Sequence, residues 1–218
     1  MNIENFLDNN SKVNDSYRDF IITKYNQFIK SSEIPLAYMC DINEKTLSKN
    51  LRILHRDIKE IIDCKYSLML IGIDYMMVNY YMGLLLDKYF KDNLNDGLYL
   101  EQILCVDTKL LLDDYLKNIG DSNSDVSVHY NYDPYVLFNV IETAPYVIWN
   151  RFNDTLSDYK KNKFLNIIDT RKRQGLGNMY FTSEGISEFK SNAINVELHK
   201  ILQPDIVLDC CNEKIELL

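Results

Sequence analysis

The chain has 218 residues, which is the length of one domain. Its formal net charge of −8 at pH 7 disfavours a nucleic-acid backbone as the main partner, since Lys and Arg supply the affinity for phosphates. The five cysteines form no C-x-x-C pair and, with three scattered histidines, show no zinc spacing, a pattern typical of reduced thiols in a cytosolic protein. The N-terminal residues lack the pattern of a signal peptide and the longest apolar region contains Asp74 and Asn79, so we expect a cytoplasmic protein with no membrane partner, metal or cofactor.

The N-terminal part of the chain is predicted to be helical. Residues 1–32 carry apolar side chains at helical spacing until Pro35 ends the pattern, and a second helix is predicted over Glu44–Ile62. The first segment is too short to form a domain alone, so we expect it to pack on the main body. We therefore divide the chain into a short helical N-terminal extension, residues 1–40, and an α/β domain, residues 41–218.

From Tyr66 onward, apolar runs typical of buried strands alternate with helical patterns. The predicted strands are Tyr66–Ile73, Gly97–Val106, Pro145–Asn150, Asn178–Ser183 and Asp205–Cys210. The helical patterns between them cover Met76–Phe90, a segment capped by Asp107 and Thr108, Pro134–Thr143, and a long helix that starts at Leu156-Ser157-Asp158 and passes through Arg171. This alternation predicts an α/β fold with a mainly parallel five-stranded sheet flanked by helices.

The turn after the first predicted strand has the frame of a phosphate-binding loop without its chemistry. In G-x-x-x-x-G-K-[ST], backbone N–H groups cradle the phosphates, Lys contacts their oxygens and Ser or Thr binds Mg²⁺. Here Gly72 stands at the first glycine, and Met77, Val78 and Asn79 stand at the second glycine, the lysine and the hydroxyl residue. Met77 adds a side chain where the backbone must approach phosphate, Val78 has no charge, and Asn79 is a poor replacement for a hydroxyl.

A longer stretch, residues 144–183, carries a family resemblance. It contains the apolar strand Tyr146-Val-Ile-Trp, the helix start Leu156-Ser157-Asp158, the helix Phe164-Leu-Asn-Ile-Ile-Asp-Thr-Arg171 and a strand ending in Thr182-Ser183. With the order of elements from about Ile34 to Cys210, this stretch resembles the AAA+ domain of bacterial and phage replicative helicase loaders of the DnaC/DnaI type, and the related IstB-type transposition ATPases. The resemblance implies an AAA+-like fold of the P-loop NTPase type.

The chain departs from that family at the positions that carry its catalysis. Asn150 and Arg151 stand where the resemblance places the carboxylate that supports Mg²⁺ and the acid that orients the attacking water, and Glu184 stands at the sensor Asn. Because no arginine follows Arg173, the expected arginine finger is missing too. We therefore expect a pseudo-ATPase, not an enzyme, that acts in DNA replication by binding a replicative helicase, a helicase loader or an active AAA+ partner, as helper or inhibitor, in a homo- or hetero-oligomer.

Three alternatives stay open at this point. A DNA-binding accessory module would use the cations Lys160, Lys161, Lys163, Arg171, Lys172 and Arg173, if they share one exposed face; otherwise they form a solvated helix surface or a partner contact. An enzyme with an unrecognised site is a further possibility. In an unrelated α/β protein, Gly72 would merely end a strand and Asn150-Arg151 would be an ordinary exit from a strand.

Overall fold

The computed structural model describes residues 3–9, 14–33, 47–73, 75–109, 111–112, 134–152, 158–183 and 202–210. Within these residues the helices are α1 (Ile3–Asn9), α2 (Asp15–Ser31), α3 (Lys49–Asp63), α4 (Tyr75–Asp92), α5 (Pro134–Thr143) and α6 (Asp158–Arg173), with a 3-10 turn at Leu94–Asp96. The strands are β1 (Leu68–Ile71), β2 (Ile103–Asp107), β3 (Tyr146–Asn150), β4 (Gly177–Thr182) and β5 (Ile206–Asp209).

The five strands form one parallel sheet in the order β2-β3-β4-β1-β5. Since all strands run the same way, their carboxyl ends meet at one edge of the sheet, the edge where open α/β folds bind ligands. In the register, Ile71 lies opposite Thr182 on one side and Asp209 on the other. Asp107 lies opposite Asn150. The predicted parallel five-stranded sheet with flanking helices is confirmed.

Both faces of the sheet are covered, which explains why the strands are continuous apolar runs. Side chains of alternate positions, such as Leu70 and Ile148, pack on one face with residues of α1 to α4. The positions between them, such as Ile71 and Trp149, pack on the other face with residues of α5 and α6. β5 lies at the edge of the sheet, and its Val207 is 39% exposed.

The first strand is shorter than predicted, Leu68–Ile71 instead of Tyr66–Ile73, and the predicted start of the second strand is wrong. The second strand begins at Ile103 and not at Gly97, because Leu94–Asp96 forms a 3-10 turn and the next two residues adopt left-handed backbone angles, φ 75° at Gly97 and φ 57° at Leu98. An extended strand cannot contain such angles. α3 begins at Lys49 after the N-cap Ser48, whose Oγ accepts a hydrogen bond from Leu51 N at 3.2 Å; residues 44–46 of the predicted helix lie outside the described residues.

The N-terminal extension packs on the main body, as expected. On α2, the ring of Phe28 lies 6.0 Å from that of Tyr89 and 5.8 Å from that of Phe90, both on α4. The Tyr25 hydroxyl donates to Asp87 Oδ1 at 2.9 Å, and burial is the main cause that raises the pKa of Tyr25. α2 therefore belongs to the same core as the sheet, while the proposed domain boundary between residues 40 and 41 lies outside the described residues.

This packing predicts that Phe28→Ala destabilises the whole protein. Phe28 is buried against two rings of α4, so its truncation leaves a cavity that costs about 3–5 kcal/mol of unfolding free energy. The measurement is urea denaturation followed by circular dichroism. Phe20→Ala is the matched control because Phe20 lies on the same helix and is 47% exposed; it should cost less than about 1 kcal/mol. Equal small costs would show that α2 folds independently of the sheet.

Candidate functional site

The candidate site lies at the carboxyl edge of the sheet, where β1 passes into α4. Gly72 follows β1 with φ 80°, in the left-handed region that favours glycine. The next residue, Ile73, is buried in the core, and its N–H donates to Thr182 O at 3.0 Å. A backbone donor of this turn is therefore used to hold the turn against the end of β4.

The three residues at the remaining motif positions lie inside α4. Val78 is buried, Met77 packs against the core on the same face, and Asn79 is half-buried. Only the first few N–H groups of a helix lack a partner within it. Because α4 begins at Tyr75, the backbone N–H groups that lack a partner within this helix belong to its first turn, before Asn79.

The end of β3 carries the second pair of predicted site residues. Asn150 is 6% exposed and, by strand alternation, lies on the same face as Ile148, the face that α4 covers. Arg151 follows with φ 52°, a strained angle for a residue with a side chain. Its Nη2 forms an ion pair with Asp107 Oδ2, from the end of the neighbouring strand β2.

Three buried polar atoms at these two strand ends have no hydrogen-bond partner: Thr108 Oγ1, Asn150 Oδ1 and Arg151 Nε. Buried polar atoms are nearly always paired, and each orphan costs about 1–3 kcal/mol. Strain and unpaired polar atoms concentrate at functional sites. Asp107, Thr108, Asn150 and Arg151 thus lie at the ends of two neighbouring strands that one ion pair joins, and we call these four residues the edge cluster.

Asp107 and Thr108, half of the edge cluster, are predicted from the sequence only as a helix cap. The available signal was that both residues directly follow a buried strand, and the carboxyl ends of neighbouring parallel strands meet. Glu184, the remaining member of the predicted nucleotide site, lies outside the described residues.

The predicted basic surface on α6 is not a single face. Arg171 is fully buried, so its assignment as a nucleic-acid or partner contact is wrong. Lys163 and Lys172 lie on opposite sides of the helix, about 180° apart, because successive residues of an α-helix are rotated by about 100° around its axis. Lys172 Nζ donates to Leu202 O at 3.1 Å, and Arg173 is exposed and pairs with Asp169 at 2.5 Å. Lys160 and Lys161 are half-buried near the start of the helix.

Arg171 is instead a structural residue. Its Nη1 donates to Ala144 O at 2.9 Å and to Ile141 O at 2.5 Å, and its Nη2 donates to Gly177 O at 2.6 Å. Its Nε donates to Asn178 Oδ1 at 2.8 Å. These four partners are uncharged, and burial lowers the pKa of Arg171 to about 10, so the side chain remains charged at neutral pH.

The bond to Asn178 extends this network to β3. Asn178 Oδ1 also accepts a hydrogen bond from Trp149 Nε1 at 3.1 Å. Arg171 thus connects α6, the end of α5, β4 and, through one shared oxygen, β3. The helical period contained a signal for this burial, since Phe164, Ile168 and Arg171 fall on one face.

Comparisons with known proteins support the fold at low sequence identity. No protein-family model and no curated protein matches the chain. Among solved structures, AMPPCP-bound DnaA from Aquifex aeolicus superposes with a TM-score of 0.51 at 6% identity, over 76% of this chain and 49% of that chain. A putative primosome component from Streptococcus pyogenes serotype M3 superposes with a TM-score of 0.52 at 11% identity, over 85% of this chain and 98% of the other. DnaI superposes with a TM-score of 0.52 at 13% identity, over 78% of this chain and 88% of the other.

These likenesses confirm the AAA+-like fold of the P-loop NTPase type that the sequence predicted. The chain spans about half of the DnaA chain that it matches. Among the residues described, no helix is long and apolar enough to cross a membrane, and no three or more His, Cys, Asp or Glu side chains are grouped so that they could hold a metal ion.

The contacts of Arg171 predict a large effect of Arg171→Met. Methionine fills part of the volume, but it removes one of the two donors to Asn178 Oδ1 and the side-chain donor to three buried carbonyls, so we expect a loss of about 3 kcal/mol or more of unfolding free energy. Arg173→Met is the matched control, because the Arg173 side chain is 78% exposed, and it should change stability by less than about 1 kcal/mol. Thermal and urea denaturation measure the stability of both variants. An Arg171→Met protein as stable as the wild type would contradict the structural role of Arg171.

Proposed function

We propose that this chain is a pseudo-ATPase, a non-catalytic AAA+-like protein that acts in DNA replication by binding another protein. The observation that carries the proposal is the edge cluster. At the edge of the sheet where this fold type binds its nucleotide, Arg151 forms an ion pair with Asp107 and Asn150 replaces a carboxylate. The partner is a replicative helicase, a helicase loader or an active AAA+ ATPase.

The residues at this edge do not fit a magnesium nucleotide. Mg²⁺ in such sites takes carboxylate oxygens, water and phosphate oxygens. The Asp107 carboxylate is engaged by Arg151, and the positive guanidinium repels a metal ion. Val78 supplies no charge to the phosphates, and the Ile73 N–H is held by Thr182 O. The chain therefore keeps the frame of a nucleotide-binding protein and uses it without nucleotide.

The replication context rests on the structural neighbours, which are a DnaA, a putative primosome component and DnaI. A domain of this fold that needs no nucleotide offers its surfaces to partners, either to complete an assembly or to block one. The arrangement of cations on α6 favours a protein partner over DNA, because Arg171 is buried and Lys163 and Lys172 lie on opposite edges of the helix. We expect the protein to act in the cytoplasm.

The proposal predicts that ATP does not bind. Calorimetric titration with ATP and Mg²⁺ should give no saturable heat, and the same mixture should leave the melting temperature unchanged. The melting temperature reports binding because a ligand present at 100 times its Kd would stabilise the folded state by about 2.7 kcal/mol. Saturable binding in the micromolar range would contradict the pseudo-ATPase assignment.

The partner is tested by affinity capture from the native host, followed by reconstitution from purified proteins. We expect tagged protein to retain a replicative helicase, a loader or an AAA+ ATPase without added nucleotide, and the purified pair to elute together in size-exclusion chromatography. The Phe20→Ala variant tests whether the exposed surface of α2 contacts the partner, since Phe20 is exposed on α2 and its truncation should leave the protein folded. Failure of all three purified candidates to bind would refute the proposed partner class.

A further inference from the structure

The outer side of α2 carries two exposed aromatic rings with a cation beside them. Tyr17 and Phe20 are 44% and 47% exposed, and their rings stack with centroids 6.0 Å apart. Lys24 Nζ lies 5.7 Å from the centroid of the Phe20 ring. We propose that these three residues, which we call the α2 column, bind an acidic and apolar segment of the protein partner. The inference rests on the proposed function, to which it adds the binding surface and the chemistry of the segment that binds there.

The two rings of the α2 column are not needed to hold α2 on the domain. The helix packs on the core through another set of side chains: Ile21, Tyr25, Phe28 and Ile29. Among the residues that the structure describes, Tyr17 and Phe20 are the one pair of exposed aromatic side chains in ring contact. Single exposed apolar residues are ordinary on protein surfaces, whereas exposed apolar residues side by side mark interaction sites. The pair therefore offers apolar area to a partner.

The charge of the α2 column indicates that the partner segment is acidic. Within the part of the chain that the structure describes, Lys24 forms no ion pair, whereas Arg18 on the same helix pairs with Asp8 at 2.8 Å. The two carboxylates of α2, Asp15 and Asp19, lie about 180° and about 140° from Lys24 around the helix axis. A carboxylate supplied by the partner is therefore the complement that this side of α2 lacks.

The spacing of the α2 column fits a helical partner segment. Tyr17 lies two helical turns before Lys24, a rise of about 10 Å. On a facing helix, an apolar side chain and a carboxylate one turn apart lie on the same side, which matches the separation of Phe20 from Lys24. Single-stranded DNA also stacks its bases on exposed rings, but it requires a positively charged groove. The α2 column has one cation in a chain of net charge −8, which favours a protein segment.

The test measures, by biolayer interferometry without nucleotide, how variants bind the purified helicase, loader or AAA+ ATPase that the wild-type protein retains. Lys24→Glu should weaken binding about tenfold or more, because it sets a carboxylate against the partner's carboxylate. Phe20→Ala should also weaken binding about tenfold or more, because it removes an aromatic anchor. Lys24→Arg keeps the charge over the ring and should bind like the wild type. Lys30→Glu is the matched control, because Lys30 is exposed on the same helix, about 120° from Lys24 around the axis; it should also bind like the wild type.

Wild-type affinity in both Lys24→Glu and Phe20→Ala would show that the α2 column is not the binding surface, while the proposed function would stand. An equal loss in Lys30→Glu, or tighter binding by Lys24→Glu, would overturn the acidic segment. A fluorescein-labelled oligo(dT) strand is titrated in parallel, and binding that the wild type shows and Lys24→Glu loses would assign the column to DNA instead. If the wild-type protein binds none of the three purified candidates, the proposed function fails and this inference fails with it.

Discussion

The buried guanidinium of Arg171 is the interaction on which the rest of the structure depends. It donates to carbonyls at the end of α5 and the start of β4, and to Asn178, which also binds the Trp149 indole of β3. A cation can be kept in an apolar core only when its donors are satisfied, so these elements cannot shift independently. Arg171 therefore joins α5, α6 and β4 at the end of the sheet where β4 begins.

Polar side chains of two neighbouring strands meet at the carboxyl edge. The parallel register sets Asp107 beside Asn150, and the left-handed turn at Arg151 brings a positive charge to the carboxylate. The turn after β1 is held to β4 through Ile73. Contacts within the chain thus engage one backbone donor and one carboxylate of this edge, while Thr108 Oγ1, Asn150 Oδ1 and Arg151 Nε keep no hydrogen-bond partner.

Much of the fold could be predicted because burial on both faces imposes a simple pattern. Strands such as Leu68–Ile71 are unbroken apolar runs, and α6 shows its core face through Phe164 and Ile168. The early start assigned to β2 failed because the left-handed angles at Gly97 and Leu98 arise from a local turn that hydrophobicity does not record. The placement of Arg171 failed because a charged residue among other cations is usually exposed, and its partners are mostly backbone carbonyls, which have no signature in a sequence.

The amino-acid sequence by itself determined the class of fold and the identity of the side chains at the motif positions, because strand periodicity and residue chemistry are local properties. Only the tertiary structure decided how these side chains combine. Three features depend on contacts between residues far apart in the chain. Arg171 lies in the core, Arg151 pairs with Asp107, and Thr108 and Asn150 keep unpaired buried oxygens. Such contacts are set by strand register and backbone angle, which no short stretch of sequence specifies.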